Sequence, residues 1–328
     1  MLKRDVPNPH LISLRVLSRA DVERLLDLDD LTEALAAAFP ILSAGRASVP
    51  PRIGARTAKG RVVAMPCSLP GIALEVKVVS VFPENNTCGI PGIPSHQALI
   101  VLFDENDGTP LALMDGTYIT AARTAATAAL STRALARGDA RVLAILGAGV
   151  QGHAHLRALP RVREFTEIRV ASRSAEHAIA LAGENARARV ASSFEQAVRG
   201  ADVVCCCTDS PEPILGFSWL KAGAHVTSVG SSAEGPELDR ETLTSGRLVV
   251  ESRVAFEPPP AGAPGLQGLD PSVAAELGEV LAGVRPGRQR PEEITVFRSM
   301  GHAIEDAVAA RLVYDRAIKQ RVGTAVML

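Results

Sequence analysis

The stretch RVLAILGAGVQGHAHL, Arg141 to Leu156, decides the fold. A continuous apolar run, Val142 to Leu146, ends at Gly147-Ala148-Gly149-Val150-Gln151-Gly152, and a helical pattern follows at once. Strand, glycine turn and helix start stand in the order that a dinucleotide-binding βαβ unit requires. Gly147 permits the tight turn, Gly149 lets the backbone approach a pyrophosphate, and Gly152 lets the helix pack closely on the strand. The phosphates would sit on free N–H groups at the positive end of the helix dipole. The bare pattern is weak, because an ordinary glycine turn also satisfies it; the well-formed strand before it adds weight. Roughly twenty residues past the last glycine, the second strand of such a unit ends beside the adenosine ribose. Here that place holds Ile168-Arg169-Val170-Ala171-Ser172-Arg173-Ser174. An NAD-specific site usually has Asp or Glu at this turn. Ser172, Arg173 and Ser174 instead attract a 2′-phosphate, which favours NADP(H) over NAD(H). The alternative for Arg173 is a solvated surface residue.

Around this unit, 328 residues suggest two domains, and 47% hydrophobic against 22% charged residues supports a large core. With 35 basic and 36 acidic residues the net charge is −1, so no electrostatic footprint for nucleic acid or an anionic membrane is present. No uncharged apolar stretch reaches about 18 residues, and MLKRDVPNPH has no apolar signal core. The five cysteines are Cys67, Cys88 and the consecutive Cys205, Cys206 and Cys207. Consecutive cysteines on a strand alternate faces and do not readily ligate one metal, so they read as small buried residues. An odd number without paired spacing or a signal sequence predicts a reducing cytoplasm.

Upstream, Leu14 to Ala47 reads as mainly helical, with Leu31, Leu35, Ala38 and Phe39 at helical spacing. Strand texture follows at Arg61–Met65, Ile72–Phe82, Ala98–Phe103 and Pro110–Met114, then a long alanine-rich helix at Thr120–Arg137. Downstream, a helix is expected at Phe194–Gly200 and strands at Val203–Cys207, His225–Val229, Val249–Val250 and Thr295–Ser299. Pro258–Pro264 reads as an exposed, mobile loop and Ala303–Gln320 as a closing helix. The fold class is α/β: a Rossmann-type doubly wound sheet plus a smaller α+β domain. The expected division is 1–122 with 304–328, and 123–303.

Few charges interrupt the apolar strands of the first half. Lys77 lies in ALEVKVV, where a buried lysine needs a partner or loses its charge; either suits a proton donor to an imine or amine nitrogen. An exposed edge-strand lysine is the alternative. Arg52, after two prolines, and Arg123, near the start of a small-residue helix, are candidate clamps for a carboxylate or phosphate. His96-Gln97 could line a pocket or cap a strand. No HExxH, CxxC, Walker loop or Ser-His-Asp arrangement occurs, so no metal is expected.

At this point the chain resembles the ornithine cyclodeaminase/mu-crystallin family, on the mu-crystallin/ketimine reductase side. The stretches that carry the resemblance are VVAMPCSL at Val62, LEVKVVSVFPENN at Leu74, and IPSHQALIVLFDENDGTPLALMDGTYITAARTAA at Ile93. GAGVQG at Gly147, CCCTDSPEPI at Cys205, LGEVLAGVRPG at Leu277 and ITVFRSMGHAIEDAVAARLVYD at Ile294 continue it. The resemblance implies a smaller domain that binds substrate and makes a homodimer, and hydride transfer at the α-carbon of an amino or imino acid. It implies Lys77 as the catalytic lysine and Arg52 and Arg123 as the carboxylate arginines, with Arg123 also near the cofactor. Met65 joins the substrate residues, and Thr124, Thr208, Ser299 and Gly301 join the glycine turn as cofactor residues. One departure matters: Ser232 stands where true cyclodeaminases keep an Asp. A neutral hydroxyl cannot be the carboxylate base of ring closure, although Glu234 lies two residues on. The expectation is therefore NADPH-dependent reduction of a small cyclic or acyclic α-imino acid. The alternatives are an ornithine- or lysine-type cyclodeaminase, an alanine-type dehydrogenase, hydroxyproline dehydration, and a non-catalytic small-ligand-binding protein.

Overall fold

In the computed structural model, residues 12–86, 93–230 and 235–328 are described. The chain runs β1 (Ser13–Leu17), α1 (Arg19–Leu25), α2 (Leu28–Ser43), β2 (Ile53–Arg56), β3 (Arg61–Leu69), β4 (Ala73–Val81), β5 (His96–Phe103), β6 (Pro110–Asp115) and α3 (Gly116–Leu135). It continues with β7 (Val142–Leu146), α4 (Val150–Ala158), β8 (Glu167–Ala171), α5 (Ala175–Ala182), β9 (Ala188–Val190), α6 (Phe194–Val198), β10 (Val203–Cys206) and β11 (His225–Ser228). It ends with α7 (Arg240–Ser245), β12 (Arg247–Val250), β13 (Ala275–Glu276), α8 (Leu277–Leu281), β14 (Thr295–Arg298), α9 (Ala303–Gln320) and β15 (Thr324–Met327).

Two units emerge. The first comprises the described residues of 1–27, 48–120 and 306–328; the second comprises 28–47 and 121–305. Two of the four unit boundaries fall inside α3 and α9, so each of these helices contributes residues to both units.

The first unit holds a seven-stranded sheet of order β15-β1-β6-β5-β4-β3-β2. It is antiparallel except between β1 and β6. Alternation along β3 and β4 puts Met65, Cys67, Glu75 and Lys77 on the buried face. Register sets Met65 opposite Lys77 and Cys67 opposite Glu75. Leu14–Leu17 is strand rather than the expected helix: it pairs with both β6 and β15, a non-local gain that local propensity does not reveal. The helix signal begins only at Ser18, whose side chain accepts from Asp21 N–H in a capping box.

The second unit holds an eight-stranded sheet of order β13-β12-β14-β11-β10-β7-β8-β9, parallel throughout. Its central strands β7, β10, β11 and β14 are buried on both faces, as a parallel sheet covered by helices requires. Strand order reverses at β7, which has β8 on one side and β10 on the other; that is the switch point where doubly wound sheets bind ligands. One face packs Leu146, Val204, Val226 and Val296, the other Leu143, Ile145, Phe165 and Val203.

Helix α3 starts at Gly116 rather than Thr120, because Asp115 accepts from Tyr118 N–H and caps it. Every residue from 121 to 132 in it is buried, and only small side chains allow a helix to be enclosed all round. Helix α2 belongs with the second unit, whereas the sequence reading placed 1–122 together. It crosses α8 so closely that a Cβ on Gly278 would lie 2.1 Å from Phe39 O. The Pro258–Pro264 loop is exposed only in its first part. Gly262 and Ala263 are buried, and Ala263 N–H bonds to Ala255 O at 2.8 Å.

Candidate active site

The glycine turn has the geometry its sequence calls for. Gly147, at φ +107°, occupies backbone space that disfavours a side chain, and an added Cβ would lie 2.7 Å from Cys207 O at the end of the neighbouring strand. A Cβ on Gly152 would lie 2.2 Å from Gly147 O, so α4 packs directly against the strand end. Gly149 is the N-cap of α4 with no side-chain cap, and nothing lies within 4 Å of where its Cβ would be. No side chain caps the first turn of α4 and no acidic residue stands in it, so its N–H groups are not taken up by a cap and carry no opposing charge there. Ala148 is buried and Val150 exposed. These residues fit a dinucleotide pyrophosphate.

At the end of β8, Ser172 is half-buried and Ser174 caps α5 by accepting from His177 N–H. Arg173 is 84% exposed, with Asp209 at 4.0 Å, a solvated pair of little energetic weight. Thr208 follows β10. Its N–H and Oγ1 donate to Glu237 Oε1 at 2.6 and 2.7 Å, while Ser228 Oγ and Gly230 N–H donate to Oε2 at 2.8 and 2.9 Å. Glu237 thus ties the ends of β10 and β11 together. Burial pushes its carboxyl above the usual range, against the pull of Arg298 and these donors.

Lys77 projects from the interior strand β4, 2% exposed, with Nζ 2.6 Å from Asp306 Oδ2 and 3.5 Å from Thr120 Oγ1. Asp306 is wholly buried on α9. Lys77 is thus a buried, paired ammonium and not an edge-strand lysine. Cys67, also on this face, keeps its thiol: burial, then the charges of Glu75 and Asp306, push it up. Arg52 is half-buried just before β2.

Arg123 is buried in the third turn of α3, beyond the first turn where helix N–H groups bind anions, which corrects its expected place at the helix start. Its Nη1 donates to Glu305 Oε2 at 2.8 Å. A Cβ on Gly301, at φ +69°, would lie 2.6 Å from that guanidinium nitrogen. Thr124 is buried beside it in sequence, and Ser299 Oγ donates to Glu251 at 2.5 Å. Met65, Lys77, Arg52 and Thr120 thus belong to the first unit, and Arg123, Thr124, the glycine turn, Thr208, Ser299 and Gly301 to the second.

Ser232, Glu234 and Cys88 lie outside the described residues, and His96 and Gln97 are exposed on β5. Cys205, Cys206 and Cys207 are buried, and burial pushes all three thiols up. Sequence reasoning missed Asp306, Glu305, Glu251 and Glu237. The one signal for the first two was a pair of carboxylates inside the small-residue run AIEDAVAA. Among the described residues, no helix is long and apolar enough to cross a membrane, and no cluster of His, Cys, Asp or Glu could hold a metal ion.

Comparison with known proteins places this geometry. The sequence profile of the ornithine cyclodeaminase/mu-crystallin family matches residues 13–321. The ketimine reductase mu-crystallin of Mus musculus is 43% identical over 245 residues, 74% of this chain and 76% of its own. The structure of Thermococcus litoralis Delta(1)-pyrroline-2-carboxylate reductase in complex with NADH and L-proline superposes with a TM-score of 0.90 at 36% identity, covering 95% of this chain and 100% of that one. An archaeal alanine dehydrogenase dimer with bound NAD superposes at 0.87 and 31% identity, covering 96% and 99%.

Proposed function

Because this chain belongs to the ornithine cyclodeaminase/mu-crystallin family, we propose that it is an NAD(P)H-dependent oxidoreductase that reduces the C=N bond of a small α-imino acid. The observation that carries the reading is the buried Lys77–Asp306 pair. An ammonium placed inside a sheet face is costly, and Asp306 offsets that cost and fixes where Nζ sits.

A dinucleotide held at the glycine turn would supply the hydride. Lys77 gives a proton to the imine nitrogen, so the C=N carbon is more electrophilic as it accepts the hydride; the π bond is replaced by one C–H and one N–H bond, and the nitrogen stays on the carbon as an amine. Thr120 and Asp306 hold the lysine through its own donors. Arg52 and Arg123 clamp the carboxylate, which orients the reacting carbon. Met65, opposite Lys77 in register, supplies an apolar wall. Gly147 to Gly152 take the pyrophosphate. Thr124, Thr208, Ser299 and Gly301 line the cofactor side, and Ser172, Arg173 and Ser174 favour NADPH over NADH. Ser232, where a cyclodeaminase keeps its carboxylate, favours reduction over cyclodeamination.

The test is NADPH consumption with pyrroline-2-carboxylate, piperideine-2-carboxylate and alkyl-imino acids, and the absence of turnover across that panel refutes the proposal. The likeness to alanine dehydrogenase favours one second reading, oxidative deamination of alanine, which net NADH formation from alanine and NAD would reveal. A homodimer belongs to the same proposal, supported by the apolar surface that Ile53, Val62, Val78 and Leu99 expose on the first unit. Light scattering measures it.

A further inference from the structure

Glu237, 3% exposed, takes a backbone N–H on each of its oxygens: that of Thr208 on Oε1 at 2.6 Å and that of Gly230 on Oε2 at 2.9 Å. The hydroxyls of Thr208 and Ser228 add one bond to each oxygen, at 2.7 and 2.8 Å. A carboxylate suits this pattern because both of its oxygens accept. An amide in either orientation would turn its NH2 group toward one of the two backbone donors. Arg298, the last residue of β14 and 5% exposed, works from the opposite side. Its Nη2 donates to Gly230 O at 2.7 Å, and its Nη1 to Ser228 O at 3.1 Å and Ser299 O at 2.6 Å. Gly230 is therefore held at its N–H by a buried acid and at its carbonyl by a buried base. Each of the two favours the ionised form of the other. Buried charges are costly unless compensated and hydrogen-bonded, and both of these are engaged with chain at the ends of strands.

Those strand ends adjoin the glycine turn. Cys207 N–H bonds to Leu146 O at 2.8 Å, and a Cβ on Gly147 would lie 2.9 Å from Thr208 Cγ2. In a doubly wound sheet a dinucleotide crosses the switch point, with its adenosine ribose at the end of the second strand, here β8. The nicotinamide half then falls on the other side of β7, at the ends of β10 and β11. These are the ends that Glu237 and Arg298 hold. They are also closely fitted, since a Cβ on Gly230 would overlap both Glu237 Oε2 and Thr208 O.

We propose that Glu237, together with Arg298, is a positioning residue that fixes the ends of β10 and β11 as the floor of the nicotinamide half of the dinucleotide site. The proposal rests on the reading that a dinucleotide binds at the glycine turn. Glu237 acts on the cofactor through Thr208 and Gly230, whose backbone it holds in place. Releasing either N–H lets its segment shift, and a shift of about 1 Å at a reacting group is enough to slow transfer strongly. The adenosine half, on the β8 side of the turn, is not held by this clamp.

The test uses the full-length protein and calorimetric titration with matched ligands. NADPH is compared with adenosine 2′-phosphate 5′-diphosphate, and NADH with ADP; each fragment keeps the adenosine and both bridging phosphates but lacks nicotinamide riboside. In E237Q one backbone N–H loses its acceptor, so Kd for the whole dinucleotide should rise roughly tenfold while that for the fragment changes by less than about twofold. G230A forces the same segments apart without altering a charge and should show the same split. It carries the test if thermal melts show that E237Q does not fold. With pyrroline-2-carboxylate, kcat should fall about 10- to 100-fold in both variants. Equal changes in Kd for dinucleotide and fragment, or no change in either, overturn the proposal. The expected split in a protein that turns over no imino acid supports the clamp and faults the imine-reductase reading. A wild type that binds no dinucleotide overturns both.

Discussion

Gly149→Ala separates the two roles that a glycine turn can have. Gly149 sits at φ −92°, ψ −165°, which alanine adopts freely, and its added methyl meets no heavy atom within 4 Å. Losing a glycine N-cap costs a few tenths of a kcal/mol up to about 1, and the reduced entropy of the unfolded chain returns about 0.4–1 kcal/mol. Net stability should change by less than about 1 kcal/mol, a Tm shift of no more than about 4 °C for a unit of this size. Dinucleotide binding should respond differently, because the open space the methyl enters is where the pyrophosphate must approach. Pushing a phosphate back by about 1 Å weakens one or two charge-assisted hydrogen bonds worth about 1.5–3 kcal/mol, so Kd should rise roughly 10- to 100-fold. Gly152→Ala is the contrast: its Cβ would sit 2.2 Å from Gly147 O and 3.2 Å from Leu181 Cδ2. That overpacking should cost about 1–3 kcal/mol and lower Tm as well as affinity. NADPH fluorescence titration and thermal melts measure both. A G149A variant that binds NADPH as wild type does would refute the phosphate role of this turn.

Other perturbations test the remaining parts. Lys77→Met should lower kcat by about 10²–10⁴-fold with NADPH binding intact. Because breaking one side of a buried pair costs about 3–5 kcal/mol, K77M/D306N should recover stability without activity in paired melts and rate assays. Arg173→Ala should raise KM for NADPH about tenfold and leave NADH unaffected, since a lost phosphate contact is worth about 1.5 kcal/mol; equal changes for both cofactors would contradict the 2′-phosphate role. His155 is enclosed, and burial lowers its pKa from 6.5 to about 4, against the Gln151 carbonyl that its Nδ1 contacts. A folded value below the unfolded one means stability is present above pH 6.5 and is lost as pH falls toward 4. His225, lowered to about 3 by burial, behaves alike. Each should remove about 2 kcal/mol between pH 7 and pH 5, and His155→Leu should abolish one such share in urea titrations at the two pH values.

Elements were legible where their signals are local. The run from Val142 to Gly152 carries strand, turn and helix in consecutive residues, and α9 follows its sequence pattern from Ala303 to Gln320. Leu14–Leu17 was not legible, because its strand character comes from partners about 100 and 310 residues away. Helix α2 shows a clear apolar stripe, but nothing in that stripe says that it packs on α8 in the second unit. Lys77 announced itself as a charge in an apolar strand. Its partner did not, because a carboxylate on a helix is ordinarily a solvated residue. Glu305 was hidden for the same reason, lying 182 residues from Arg123. Glu251 and Glu237 gather backbone and side-chain donors from several loops, an arrangement that no local spacing encodes.

The central claim is hydride delivery to an α-imino carbon at a lysine-bearing site. The most direct measurement is the rate of NADPH and NADH consumption, in parallel, with pyrroline-2-carboxylate and with amine plus α-keto acid mixtures, for wild type and K77M. The account predicts stoichiometric formation of the amino acid by wild type, faster with NADPH, and at least a hundredfold loss in K77M. Turnover that K77M retains, or no reduction of any imino acid by a wild-type protein that binds NADPH, would contradict it.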